Sequence, residues 1–245
     1  MTSLPDGYQA LVVGASGAIG AALVQALQSD ARCGAVHGWS RRGNPAVDLT
    51  DEASIAAAAA ALKPLLAADG RSAALHLVVC ATGVLQVDGH APEKRLADID
   101  PTRLARALAI NAIGPALLMK HLHPLLPSVG RSLFGVLSAR VGSIGDNRSG
   151  GWYGYRASKA ALNQLVRSAA IEIARRRPQA VLVALHPGTV RSPLSAPIIG
   201  DGSGREQAPL SPPQAARHLL DVLDALPTEG ASGTFAAWDG AAIEW

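Results

Sequence analysis

Nowhere does the chain run for about 18 residues without a polar or charged interruption, which argues against a membrane-spanning helix. The opening stretch MTSLPDGYQA has no basic start leading into an apolar core, so no export signal is legible. A soluble, cytoplasmic protein without a membrane partner is expected. Cysteine is scarce: Cys33 and Cys80 lie in apolar, strand-like segments without CxxC spacing, which reads as two buried free thiols rather than a disulfide framework. The histidines (His37, His76, His90, His121, His123, His186 and His218) form neither HExxH nor a zinc-spaced Cys/His set, so no metal site is expected. Excess charge of one sign is also missing, with 22 Lys and Arg against 19 Asp and Glu. The one dense basic cluster, Arg175 to Arg177, stands just before Pro178, where a helix should end and its dipole favours cations. No nucleic-acid partner is therefore expected.

What is present is a globular composition, 49% hydrophobic and 17% charged, with no linker and no internal repeat. Mostly continuous apolar runs at 10–14, 35–40, 75–81, 132–139, 180–188 and 234–240 look like strands covered on both faces. Helical patterns at 18–29, 51–68, 101–122, 155–177 and 212–226 stand between them. Strand and helix in alternation imply an α/β doubly wound parallel sheet, the Rossmann fold in three α/β/α layers, as a single domain over residues 1–245. The alanine run at 56–61 suits a helix lying close on that sheet. Residues 192–213, with five prolines and three glycines, read as a surface excursion and candidate lid.

The first strand enters GASGAIG, and a helix follows at once. In such a turn the glycines let the backbone approach a pyrophosphate while free N–H groups of the helix start meet its charge. Gly14, Ser16, Gly17, Ala18, Ile19 and Gly20 are the candidate contacts. At the end of the second strand, where an acidic residue would accept a ribose 2′-OH, stand Ser40, Arg41 and Arg42. Two guanidinium groups and a hydroxyl suit a 2′-phosphate, so the expected cofactor is NADP(H). Farther on, YGYRASK sets Tyr155 and Lys159 four residues apart, one turn apart on one helix face. A cation there would lower the phenol pKa and make Tyr155 a usable acid or base.

With GASGAIG, DLT at 48–50 after the third strand of the family's order, CATG at 80–83, Asn111 in AINAIGPALL, YGYRASK and HPGTVRS at 186–192, the chain resembles the short-chain dehydrogenase/reductase family over nearly its whole length. SARVGSI, the DN, the GGWY and the closing WDG…W resemble the subgroup containing the C-factor signalling protein and the sniffer-type carbonyl reductases. The resemblance implies that Asp48 bonds the adenine edge with Leu49 beside the ring, and that Ala81, Thr82 and Gly83 pass under the adenosine ribose. The Asn111 side chain would organise a water linking Lys159 to solvent. Lys159 would bond the nicotinamide ribose and hold down the pKa of Tyr155, which would protonate a carbonyl oxygen. Pro187, Gly188, Thr189 and Val190 would hold the carboxamide end, with Thr189 and Ser192 in reach of phosphates or carboxamide. Homodimers or homotetramers, built through the helices at 101–122 and 155–177, are implied as well.

Three departures stand out. The glycines follow GxxGxxG rather than GxxxGxG, which reads as a local variant, since 245 residues leave no room for the substrate domain of the extended family branch. CATG replaces NNAG. The family serine, three residues before Gly142, is Ala139. Ser143, Ser138 and a water are the candidate replacements, with Ser143 the first choice because the chain can turn at Gly142. The expected function is an NADP(H)-dependent reduction of a ketone or aldehyde, or the reverse oxidation, on a small-molecule substrate. The alternative is a cofactor-binding signalling protein with weak turnover. The loops at 84–91, 144–153 and 193–210 should line the substrate pocket, where Trp152 and Tyr153 either offer aromatic surface or pack beneath the loop.

Overall fold

In the computed structural model, residues 1–68, 73–196 and 208–245 are described. The strands are β1 (Tyr8–Val13), β2 (Cys33–Trp39), β3 (Leu77–Cys80), β4 (Ser132–Leu137), β5 (Ala180–His186) and β6 (Thr234–Ala237). They form one parallel sheet in the order β2-β1-β3-β4-β5-β6. Helices α1 (Ala18–Gln28), α2 (Glu52–Ala67), α3 (Pro101–Leu108), α4 (Gly114–Leu122), α5 (Tyr153–Ala174) and α6 (Pro212–Ala225) cover its faces. The order reverses between β1 and β3, and such a switch point leaves a crevice beyond the carboxyl ends of the strands.

Alternation along β1 divides the core in two. Tyr8, Ala10 and Val12 pack with Leu23 and Leu27 of α1 and Leu219 and Leu223 of α6. Leu11 and Val13 face Ile55 and Leu62 of α2, Leu118 of α4 and Leu162 of α5. Within the alanine run only Ala58 and Ala59 are buried, one side of the helix as the 3.6-residue period requires. Side-chain caps hold three helix starts: Asp51 accepts from Ala53 N–H, Asp100 from Arg103 N–H, and Ser211 forms a capping box with Gln214. Each such cap is worth ~1 kcal/mol.

The structure differs from the sequence reading in three places. At the sheet edge β2 is only half-covered, which leaves Cys33 half-buried while Cys80 is buried. Ahead of Asp48 there is only an isolated parallel bridge between Ser40 and Ala46, not a further strand; Pro45 beside it has no N–H to extend a ladder. The long helix at 101–122 is broken by a π-helical turn over Ala109–Ile113. Pro115 cannot donate to the Asn111 carbonyl four residues back, and the pairing slips by one residue, with the Gly114 N–H bonded to Ala109 O.

Candidate active site

The glycine loop leaves β1 at Gly14, whose φ of +88° suits glycine, and a Cβ there would lie 2.6 Å from Ala81 O. A Cβ on Gly20 would lie 2.1 Å from Gly14 O, so α1 can sit this close to the loop only without a side chain. Gly17 N-caps α1 with no side-chain hydrogen bond, which leaves the helix start to an incoming ligand. Gly20 therefore does the packing work of the displaced third glycine.

A cleft of about 770 Å³ runs from this loop across the strand ends. Ser16, Gly17, Ala18, Ile19 and Arg41 line one end, Ala81, Thr82 and Gly83 the middle, and Tyr155, Lys159, Pro187, Gly188, Thr189, Val190 and Ser192 the other. Other expected contacts lie outside the lining. Arg42 is exposed and Ser40 half-buried. The Asp48 Oδ1 accepts from the N–H and hydroxyl of Thr50 at 2.8 and 2.7 Å, which lowers its pKa and starts the turn into α2. Leu49 is a core residue against Gly114, where a Cβ would come within 2.6 Å of its own.

Tyr155 and Lys159 share one face of α5, with the Lys159 Nζ 6.0 Å from the phenol ring centre. That ammonium is buried and donates to Leu137 O at 2.9 Å. Burial dominates both groups: it pushes the Tyr155 phenol up to about 12 and the Lys159 ammonium down to about 8. The expected depression of the phenol by the lysine is absent from this arrangement, because desolvation outweighs a cation aimed at a carbonyl. Asn111, fully buried, spends both amide protons, on Val84 O at 2.8 Å and Ser158 Oγ at 3.0 Å, and its Oδ1 accepts from Val84 N–H at 2.8 Å. Its side chain is a strut between the loop after β3 and α5. Gly83 fits between the two: a Cβ there would be 3.3 Å from both Asn111 Oδ1 and Lys159 Nζ.

Ala139 and Ser138 both line the cleft. The Ser138 hydroxyl donates to Asn163 Oδ1 at 2.6 Å. Ser143 is buried outside the lining, and its Oγ accepts from Asp146 N–H at 3.1 Å. The turn at Gly142 carries Ser143 beneath the loop instead of back over the cleft, so the preferred replacement for the serine hydroxyl is misplaced.

The loops expected to line a pocket reach the cleft in part, and two residues with no assigned role in the sequence, Glu93 and His186, shape it. Trp152 reaches the cleft and meets Tyr155 edge-on at 6.3 Å, while Tyr153 lies outside. Trp152 is left-handed (φ 53°, ψ 42°) and follows Gly150 and Gly151 at φ 61° and 64°. Glu93 holds this turn: its carbonyl accepts from Trp152 N–H at 2.5 Å and its carboxylate from Gly154 N–H at 3.0 Å, a cap supplied from 61 residues away. His186, at the end of β5, has a buried Nδ1 without a partner among the described residues, and burial with the nearby Arg140 charge holds its pKa near 4. Leu85, Pro193, Leu194 and Ser195 also line the cleft. The rest of the candidate lid, residues 197–207, lies outside the described residues.

The family model described as "Enoyl-(Acyl carrier protein) reductase" matches residues 14–216, from the glycine loop through α5 into α6. The chain belongs to the short-chain dehydrogenase/reductase family. This member is 32% identical over 201 residues to 1-hydroxy-2-glutathionyl-2-methyl-3-butene dehydrogenase of Rhodococcus sp. (strain AD45), covering 82% of this chain and 79% of the relative. It is 36% identical over 151 residues to C-signal of Myxococcus xanthus, covering 61% and 83%. The carbonyl reductase Sniffer of D. melanogaster superposes with a TM-score of 0.80 at 23% identity, over 97% and 99% of the two chains, a likeness of fold. A Burkholderia multivorans protein whose structure holds NADP superposes at 0.76 with 28% identity, over 97% and 99%. Among the described residues, no helix is long and apolar enough to cross a membrane and no cluster of His, Cys, Asp or Glu could hold a metal ion.

Proposed function

We propose that this oxidoreductase reduces a ketone or aldehyde with NADPH, or oxidises the matching alcohol with NADP⁺. The observation that carries the reading is that Tyr155 and Lys159 open onto the same cleft as the glycine loop. The chain fits the dinucleotide: Gly14 and Gly20 let the loop pack against Ala81 and against itself, where a Cβ would clash, and Ser16, Gly17, Ala18, Ile19 and Arg41 line the cleft beside it. Arg41 suits a 2′-phosphate through paired, charge-assisted hydrogen bonds.

NADPH, when bound, supplies the hydride and is left as NADP⁺. Tyr155, kept protonated by its burial, donates the phenolic proton to the carbonyl oxygen, and the product is the alcohol. Lys159, poised near 8, stands one turn away with ammonium protons beyond the one given to Leu137 O, for the nicotinamide ribose and for proton return. Asn111 braces this corner through Val84 and Ser158. Pro187, Gly188, Thr189, Val190 and Ser192 line the cleft where the carboxamide end is expected. The exposed apolar side chains of Ile113, Leu165 and Ile171 support a homodimer or homotetramer through the helices at 101–122 and 153–174, testable by light scattering. We assign it to the cytoplasm.

NADPH oxidation against a panel of aldehydes, ketones and quinones tests the reading. Turnover lost in Tyr155→Phe, with cofactor binding retained, is the expected result; equal turnover in the variant would reject the mechanism. A second reading, a cofactor-binding signalling protein with little turnover, rests on the methyl group of Ala139 where the family has a hydroxyl. Tight NADPH binding without turnover on the whole panel would favour it.

A further inference from the structure

The described residues lining the cleft include no acidic side chain and three basic ones, Arg41, Arg140 and Lys159. On the reading above, Arg41 and Lys159 serve the cofactor. Arg140 has no such task. It follows Ala139 in the short helical turn Arg140–Gly142, after the end of β4, and lines the same cleft as Tyr155. Its one ion pair among the described residues is to Asp146, at 3.3 Å with both side chains about half exposed. A pair this exposed is weak and easily exchanged for a better-placed anion. Neighbouring His186 is uncharged at neutral pH, so it neither repels nor neutralises an incoming anion. Leu85, Val141, Trp152 and Leu194 make the surrounding walls apolar.

We propose that the natural substrate is a carbonyl compound, or its alcohol, with an apolar body and a carboxylate, and that Arg140 selects it by pairing with that carboxylate. The proposal rests on the hydride-transfer reading of the cleft. The apolar body lies against Trp152 and Leu85, the carbonyl meets Tyr155, and the carboxylate takes no part in the chemistry. A guanidinium suits this task better than an ammonium, because its planar fork binds both carboxylate oxygens. Asp146 pairs with the guanidinium until the substrate displaces it.

The test compares 4-formylbenzoate with its methyl ester, two aromatic aldehydes that differ in one charge. Wild-type protein is expected to show kcat/KM at least tenfold higher for the carboxylate, expressed mainly in KM. Arg140→Gln should bring the ratio close to one, Arg140→Lys should restore part of it, and Asp146→Asn should preserve or increase it. Equal kcat/KM for the two aldehydes in wild type, or a preference that survives Arg140→Gln, would overturn the proposal. If neither aldehyde is reduced, the hydride-transfer reading is what has failed. Calorimetric titration of benzoate and benzamide into NADPH-loaded protein then decides on Arg140 alone. Tighter benzoate binding that is lost in Arg140→Gln upholds the anion site, whereas equal or undetectable binding overturns it.

Discussion

The Glu93 carboxylate accepts the Gly154 N–H at 3.0 Å and so caps, from a distant loop, the helix that carries Tyr155. Trp152, the residue at the N-cap position, makes no side-chain cap hydrogen bond and instead packs edge-to-face with the Tyr155 ring. Glu93 thus couples its own loop to the helix start that positions Tyr155.

Glu93→Ala should cost ~1 kcal/mol of stability, the usual worth of a cap, and should raise KM by loosening Trp152. Gly154→Ala should act on the same contact, since a Cβ there would lie 2.9 Å from Glu93 Oε1. Urea melts of both variants and the double variant should therefore be non-additive. Additive losses would mean that the carboxylate and this helix start are not coupled.

Lys159 gives a pH-dependent signature. The folded protein releases this proton near 8 and the unfolded chain near 10.5, so the burial cost is complete below about pH 8. The unfolded state binds more protons between those values, and stability from this group rises with pH across that window. Tyr155 works the other way above about 10, because the folded protein holds its proton to about 12. Lys159→Met should abolish turnover yet stabilise the protein at pH 7 by up to ~3 kcal/mol. Melts at pH 7 and pH 10 should show that advantage shrinking; a constant difference would contradict the desolvation of Lys159.

Arg41 lines the cleft and Arg42 does not, which separates two residues that the sequence presents as equals. Arg41→Ala should weaken NADPH binding at least tenfold, in keeping with charge-assisted contacts of ~1.5 to 3 kcal/mol, and leave NADH affinity nearly unchanged. Arg42→Ala should cost less than threefold for either cofactor. Dissociation constants for the two cofactors with each variant check both statements.

Ala139 lines the cleft, whereas Ser143 is buried outside the lining and bonded to Asp146 N–H. Ala139→Ser should raise kcat about tenfold or more, since a donor to a developing oxyanion is typically worth ~10² to 10³ in rate. Ser143→Ala should change kcat less than twofold and destabilise the 143–146 turn by ~1 kcal/mol through loss of its hydrogen bond. A large fall in kcat for Ser143→Ala, with cofactor affinity intact, would return that hydroxyl to the reaction.

Much of the architecture was legible because its causes are local. Apolar runs and helical periodicity report on faces within one element, and all six strands and the principal helices lie where those patterns put them. The glycine loop was legible for the same reason, its constraint being a turn within seven residues. The π-helical turn at Asn111 also had a local sign, Pro115 four residues on, that a reading for continuous helix passes over.

The sequence by itself determined the strand and helix order, the glycine loop between β1 and α1 and the alignment of Tyr155 with Lys159, since each follows from backbone geometry over a few residues. Only the tertiary structure decided which polar groups reach the cleft. It buried Leu49 against Gly114, tied the Asn111 side chain to Val84 and Ser158, carried Ser143 beneath its loop and gave Glu93 the cap of α5. It also brought Arg140 and His186 together from the ends of two adjacent strands. These are contacts between segments far apart in the chain, set by how the strand ends and loops close on one another, and no local periodicity encodes them.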